Sequence, residues 1–235
     1  MIFASPGTAI FGVEPYATTL RRLVKKRNIQ THFHLKLIEI RPEQKEAVYS
    51  STLNEEIAIP KEAQDFGFRR ENGHVVIPYE IMHLAPPQSA PDFVKPSPLV
   101  NADGWVDVDQ YTLQHNRYSN IFSLGDVAGT PNAKTGAAVR KQAPVVVNNI
   151  LALIKSESDL LNNPKYNGYS SCPIVTRYEK MLLAEFDYDN KAMPTFPFLD
   201  TSKELWSMWI MNKYMLPWIY WERILKGKPC LGKCF

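Results

Sequence analysis

The sequence lacks the two glycine-rich turns that commonly hold nucleotides. No G-x-G-x-x-G occurs, and the Gly7-x-x-x-x-Gly12 spacing is not followed by Lys and Ser or Thr, which excludes a phosphate-binding P-loop. Cysteine is also scarce, since three cysteines in 235 residues do not form a disulfide framework. The net charge of +3 is too small to argue for nucleic acid, and we predict no nucleic-acid partner.

Enough apolar sequence is present for a globular α/β protein. Hydrophobic residues make up 45% of the chain and charged residues 22%, a balance that is not typical of disorder. Residue patterns in the first 85 positions predict strands at 2–4, 31–41, 47–50 and 75–77, a helix at 14–27 and an exposed loop or hairpin at 55–73. His32 and His34 would share one strand face, but no further ligand lies near them in sequence, and we predict no metal site.

The segment from Asn120 to Val139 carries the strongest functional signal. It predicts a short buried strand at 120–124, then Gly125-Asp126, then a helix at 135–154 that Pro144 kinks or divides. A strand that ends in Gly-Asp before a helix is one way to hold a flavin. The carboxylate accepts a hydrogen bond from a hydroxyl of the ribityl chain, and the helix N-terminus favours negative charge on the ring. The alternative is a plain turn in which Asp126 is an ordinary helix N-cap, and these residues alone leave both open.

Four later segments make the pattern specific. They are GWVDVDQYTLQH from Gly104, YSNIFSLGDVAGTPNAKTGAAV from Tyr118, YNGYSSCPIVTRYEKMLLAEFDY from Tyr166 and TFPF from Thr195. Together they resemble the mitochondrial-type sulfide:quinone oxidoreductases, which are FAD enzymes with two dinucleotide-binding domains. The opening segment, IFASPGTAIFGVEPYATTL, is similar to the start of the second such domain.

The resemblance implies roles for five residues. Cys172 matches one of two redox cysteines beside the flavin, and as a nucleophile it would have to react as a thiolate, held by Pro173 in a turn. Asp126, preceded by Gly125, matches the flavin-contacting aspartate. Lys134 and Gly136 fall in the segment that wraps the flavin ring, where Lys134 would compensate the charge of the reduced ring. Sulfide, ubiquinone and a small sulfur acceptor are the implied substrates.

The resemblance also implies a fold and its missing parts. We expect an α/β, Rossmann-like, partial flavoprotein: a second nucleotide-binding domain at 1–98, a returning segment of the FAD-binding domain at 99–160, and a redox-cysteine and quinone-facing region at 161–235. The N-terminal FAD-binding unit and the partner cysteine are absent, so we expect the isolated chain to be an incomplete enzyme that binds FAD weakly or not at all. The alternatives are a flavin-dependent NADH:quinone reductase relative and a non-catalytic half-protein that binds membranes or a partner.

The C-terminal segment is rich in aromatic residues. The run from Leu205 to Trp221 contains four tryptophans and is too interrupted to cross a bilayer, which favours an amphipathic, membrane-facing helical segment; a buried helix pair is the alternative. With the resemblance, this predicts a peripheral position on the mitochondrial inner membrane. Cys230 and Cys234 lie in the basic tail that follows and match no motif.

Overall fold

The computed structural model describes residues 1–53, 55, 58–155 and 163–228. The chain divides into two compact units, one made of Met1–Gly12 and Ala17–Pro87 and the other of Val13–Tyr16 and Gln88–Phe235. The described part is a mixed α/β protein with three small sheets. Each unit is described separately below.

The first unit holds two sheets. Strand β1 (Ile2–Ala4) pairs in parallel with β2 (Gln30–His32), and helix α1 (Tyr16–Lys26) lies between them in sequence. An antiparallel sheet in the order β3-β4-β6-β5 follows. Its strands are β3 (Leu35–Arg41), β4 (Glu46–Ser51), β5 (Arg69–Glu71) and β6 (His74–Pro78). The short helix α2 (Lys61–Asp65) precedes β5 in the chain. Leu35, Phe68, Val75 and Ile77 are buried together beside this sheet.

The single long strand predicted at 31–41 is wrong. The chain leaves β2 after His32 and enters β3 at Leu35, and the two strands belong to different sheets. His34, between them, has φ +61°, a left-handed backbone that breaks a strand. His32 and His34 therefore do not share a strand face. The loop or hairpin predicted at 55–73 also contains α2.

The second unit is built on one helix and one hairpin. Helix α3 (Gly136–Ile154) continues through Pro144 without a break, and strands β7 (Ser170–Arg177) and β8 (Lys180–Phe186) form an antiparallel pair. Leu113, Val145, Tyr166 and Tyr169 form the core between them. A C-terminal helical segment then runs through α4 (Trp206–Ile210), a π-helical turn (Met211–Met215) and α5 (Leu216–Glu222).

The buried strand predicted at 120–124 is wrong as well. Phe122 makes an isolated bridge with Gln114, and the chain is held by single bonds such as Ser123 N–H to the Leu113 carbonyl at 3.1 Å. The Trp105–Val108 segment has the same irregular character, with Val106 and Val108 in isolated bridges. Apolar side chains in this region pack locally without a continuous ladder.

Candidate functional site

The Gly125-Asp126 turn is fixed from behind by helix α3. Gly125–Val127 form a single 3-10 turn, and the Gly125 N–H donates to Gln142 Oε1 at 2.8 Å. Gly125 has φ +74°, and a Cβ at this position would lie 3.3 Å from Val139 Cγ2, so the turn needs glycine. Asp126 is exposed, which leaves its carboxylate accessible to a ligand.

Asp126 is not the N-cap of α3, so that part of the alternative is wrong, whereas the flavin contact of Asp126 stays a prediction. Thr135 takes this role, since its hydroxyl accepts from the Ala138 N–H at 3.2 Å. Gly136, the first residue of the helix, is exposed, and a Cβ there would meet nothing within 4 Å. The backbone at this helix N-terminus is therefore open to a close approach.

Lys134 is held beside the same turn. Its Nζ donates to the Ala128 carbonyl at 2.6 Å and lies 4.1 Å from the centre of the Trp105 ring. Burial lowers the pKa of Lys134, and the Asp126 carboxylate opposes that shift. The structure thus brings an exposed carboxylate and a partly desolvated cation together ahead of α3.

Cys172 lies in strand β7, whereas we had expected it to lie in a turn. It is paired with Ala184 of β8, and Pro173 follows it in the strand, opposite Leu183. The thiol is half-buried, and burial raises its pKa. A thiol in this environment is mostly protonated at neutral pH and so is not an activated nucleophile by itself.

A hydrogen-bonded network ties the strand of Cys172 to the loop of Lys134. Asn132 Nδ2 donates to Ser170 Oγ at 3.1 Å and to the Tyr166 hydroxyl at 2.9 Å, and Ser170 Oγ donates to the Ala133 carbonyl at 3.1 Å. Ser170 is fully buried and, two positions from Cys172, lies on the same strand face. Asn132 and Ser170 were not predicted as site residues, although both lie in segments that resemble the family, because a hydrogen bond across 38 positions has no local signature.

The opposite face of the hairpin carries a buried carboxylate that sequence reasoning also missed. Glu185 is 1% exposed and accepts from the Tyr169 hydroxyl at 2.5 Å, from the Thr195 N–H at 2.9 Å and from the Thr195 hydroxyl. Burial and then Glu185 raise the pKa of Tyr169 to about 12. Tyr169 and Thr195 of this cluster also line an open cavity of about 480 Å³, together with Lys141 and Lys165.

The C-terminal helical segment packs with one face and exposes the other. Met208, Trp209 and Met211 are buried against Met181 and Leu183 of β8. The large side chains on the outside are more than half exposed at Trp206 (54%), Trp218 (51%) and Trp221 (61%). Across the part of the chain that the structure describes, no helix has the length and apolar character needed to span a bilayer. Cys230 and Cys234 lie outside the described residues.

The predicted site residues fit one side of a flavin. Asp126 offers acceptors to a hydroxylated chain, Lys134 offers a cation, and Gly136 offers an open helix N-terminus, which together suit a ligand that gains negative charge. Among the described residues, no glycine-rich turn is present to grip a diphosphate.

Comparison with known proteins identifies the relationship. No protein-family model matches the sequence. The mitochondrial sulfide:quinone oxidoreductase of Mus musculus is 40% identical over 227 residues, which cover 97% of this chain and 46% of that protein. The Dictyostelium discoideum protein of the same name is 39% identical over 227 residues, with 96% and 45% covered. The chain is homologous to the C-terminal portion of mitochondrial sulfide:quinone oxidoreductases. It spans about half the length of these relatives.

A solved structure has a similar fold. A chain in the cryo-EM structure of the Tetrahymena thermophila mitochondrial ATP synthase superposes with a TM-score of 0.68 at 22% identity, over 93% of this chain and 48% of that one. At that identity the likeness concerns the fold alone. The relationship to sulfide:quinone oxidoreductases therefore rests on sequence.

Proposed function

We propose that this chain provides the flavin-facing and cysteine-bearing part of an FAD-dependent sulfide:quinone oxidoreductase. The observation that carries the proposal is the network through Asn132 and Ser170, because it holds the strand of Cys172 against the loop of Lys134. Both elements belong to the segments that resemble the family. Sulfide is the proposed electron donor, ubiquinone the acceptor of the electrons, and a small molecule the acceptor of the sulfur.

Each site residue has a proposed task. Asp126, held in place by the Gly125 turn, would accept a hydrogen bond from a hydroxyl of the ribityl chain. Gly136 would let the ligand approach the helix backbone. Lys134 would stabilise negative charge, which its partial desolvation strengthens. FAD, when bound, supplies the two-electron acceptor for sulfide oxidation.

Cys172 would form a persulfide with the sulfur of sulfide in this scheme, an oxidation that releases two electrons, for which bound FAD would be the acceptor. Its thiol must first lose a proton, and burial works against that loss. Because no cysteine precedes Cys172 in the sequence, a relay of two cysteines needs a second thiol from outside residues 1–171. The main diphosphate grip must also come from outside, so the isolated chain would bind FAD weakly or not at all and act as an incomplete enzyme.

The first unit supports a Rossmann-like assignment in part. Strands β1 and β2 are parallel and are connected through α1, which is the arrangement of a βαβ unit, although the pair has only two strands. We retain the three-part division at 1–98, 99–160 and 161–235 as a proposal. The second nucleotide-binding domain of the family would then begin at β1.

We further propose that the C-terminal helical segment rests on the membrane surface. Trp206, Trp218 and Trp221 of this segment are exposed, as are Lys226 and Lys228 that follow it, and tryptophan with lysine is typical of an interfacial helix. The relatives are named as mitochondrial proteins, so this predicts a peripheral protein of the mitochondrial inner membrane. Ubiquinone would then reach the protein from the bilayer.

A chimera tests the catalytic proposal. This chain would replace the matched region of the mouse sulfide:quinone oxidoreductase, and the product should carry flavin absorbance and reduce a soluble ubiquinone analogue with sulfide. Cys172→Ser should abolish the sulfide-dependent reduction and leave the flavin bound. Val175→Ser, at an exposed position of the same strand, is the matched control and should keep activity.

Two results would contradict the proposal. Full sulfide-dependent activity in Cys172→Ser would remove the redox role of this residue. Reduction of the quinone by NADH, without a response to sulfide, would support the NADH:quinone reductase alternative.

A further inference from the structure

An open cavity in the second unit combines positive charge with an apolar wall. Its volume of about 480 Å³ is within the range of small-molecule sites. Lys141 of α3 and Lys165 line it, and so do Met193 and Pro194. Among the described residues around it, none has been assigned a role in the flavin or cysteine site. We call this space, with its two lysines, the lysine cavity.

The polar wall of the lysine cavity is held in place by hydrogen bonds. The Tyr169 hydroxyl donates to Glu185 Oε1 at 2.5 Å, and the Tyr166 hydroxyl donates to the Tyr169 carbonyl at 2.6 Å. Asn167 Oδ1 accepts from the Tyr169 N–H at 3.2 Å. The Thr195 N–H donates to Glu185 Oε2 at 2.9 Å. Because both tyrosines are buried with their hydroxyls satisfied, a ligand would meet a wall that is already formed.

The charge that the lysine cavity presents to solvent is positive. Lys141 and Lys165 are exposed, and neither forms an ion pair with a residue that the structure describes. Burial raises the pKa of Tyr166 and of Tyr169 to about 12, so both phenols are neutral at pH 7. The Glu185 carboxylate behind the wall is 1% exposed and already accepts three hydrogen bonds. A ligand would therefore meet two ammonium groups and no accessible carboxylate of this cluster, which favours an anion.

We propose that the lysine cavity binds a small organic dianion, such as a phosphate monoester. Its acidic group would contact the ammonium groups of Lys141 and Lys165, and its apolar part would contact Met193 and Pro194. A phosphate monoester carries a charge of about −1.5 to −2 at pH 7, which matches two lysines. Lysine suits phosphate because its ammonium is a compact charge with three donors. Sulfide has no apolar part and ubiquinone has no charge, so this ligand is neither of them.

Phenyl phosphate is a suitable probe, since it joins a dianion to an apolar ring. Isothermal titration calorimetry of the full chain at low salt should give a Kd of about 1 mM or below. Lys141→Gln and Lys165→Gln should each raise that Kd by at least about fivefold, because each variant loses a charged hydrogen bond. Lys155→Gln is the matched control: Lys155 is an exposed lysine at the other end of α3, and its loss should leave the Kd unchanged.

Chemical labelling locates the bound anion without any variant. Lysines are acetylated with N-hydroxysuccinimidyl acetate, and the rates are read by peptide mass spectrometry. Phenyl phosphate should slow acetylation at Lys141 and Lys165 and leave Lys155 unaffected. Equal rates at Lys141 and Lys165 with and without the probe would overturn the proposal.

Three other results would also overturn it. The first is that the unaltered chain does not bind phenyl phosphate. The second is that inorganic phosphate binds as tightly, which would show general attraction of ions to surface lysines. The third is that benzyl alcohol, which has the ring without the charge, binds as tightly. Since no measurement here uses sulfide turnover, failure of the proposed function would leave the result at the lysine cavity unchanged.

Discussion

Removal of the Ser170 hydroxyl tests how the candidate site is assembled. Ser170 is fully buried, and its Oγ accepts from Asn132 Nδ2 and donates to the Ala133 carbonyl, both at 3.1 Å. In Ser170→Ala both bonds are lost, and the Ala133 carbonyl loses a buried donor. Asn132 keeps its bond to the Tyr166 hydroxyl at 2.9 Å, so part of the network remains.

The magnitude follows from the two lost bonds. Each contributes about 0.5–1.5 kcal/mol net, so the free energy of unfolding should fall by about 1–3 kcal/mol. The cavity left by one oxygen atom adds little. Urea unfolding followed by tryptophan fluorescence measures this change, since the hairpin and the C-terminal tryptophans belong to the same unit. Hydrogen exchange should also quicken at β7 near Cys172.

Ser171→Ala provides the matched control. Ser171 is buried in the same strand, and its hydroxyl makes no hydrogen bond to any residue that the structure describes, so its loss should change stability by less than about 0.5 kcal/mol. Equal effects of the two variants, or an effect of Ser170→Ala below about 0.5 kcal/mol, would refute the view that this network holds the site together.

Three further predictions concern other parts of the second unit. Gly168→Ala should destabilise the protein by about 2–5 kcal/mol in thermal unfolding, because Gly168 has φ +84° and a Cβ there would overlap the Tyr188 ring. Cys172 should react slowly with iodoacetamide at pH 7, and its rate should still rise above about pH 9, because burial raises the thiol pKa; peptide mass spectrometry gives the rate. The double variant Trp218→Ser with Trp221→Ser should bind anionic vesicles at least about tenfold more weakly in a co-sedimentation assay.

Each of these predictions has a control. Gly136→Ala should be close to neutral in thermal unfolding, because a Cβ there meets nothing. A Cys172 alkylation rate that levels off below about pH 8 would show an activated thiol and contradict the burial argument. Phe93→Ser, at an exposed aromatic outside the C-terminal helical segment, should leave vesicle binding unchanged, and an equal loss there would contradict a specific membrane-facing surface.

Regular elements with strong periodicity were predictable from the sequence. Helices α1 and α3 and strands β4 and β6 appear where their patterns place them, because an apolar stripe or a short β-branched run is a local property. Pro144 did not divide α3, since the packing of Val145 and Val146 in the core of the second unit outweighs one lost helical bond.

The errors arose where tertiary contacts or single backbone angles decide. The alternation at 31–41 continues across His34, so the pattern cannot reveal the left-handed angle that separates β2 from β3. Pro173 suggested a turn at Cys172, yet proline is tolerated in a strand that has a partner on only one side, as in the β7–β8 pair. The roles of Gly125, Asp126, Lys134 and Gly136 stay predictions, whereas the link from Asn132 to Ser170 emerged only from the folded chain.

The placement of Cys172 on a paired strand separates positioning from activation. Strand pairing and the Ser170 network fix the direction of the thiol more firmly than a loop would, but the same burial keeps the thiol protonated. If Cys172 has the proposed redox role, its activation therefore needs a cation or a ligand beside the thiol.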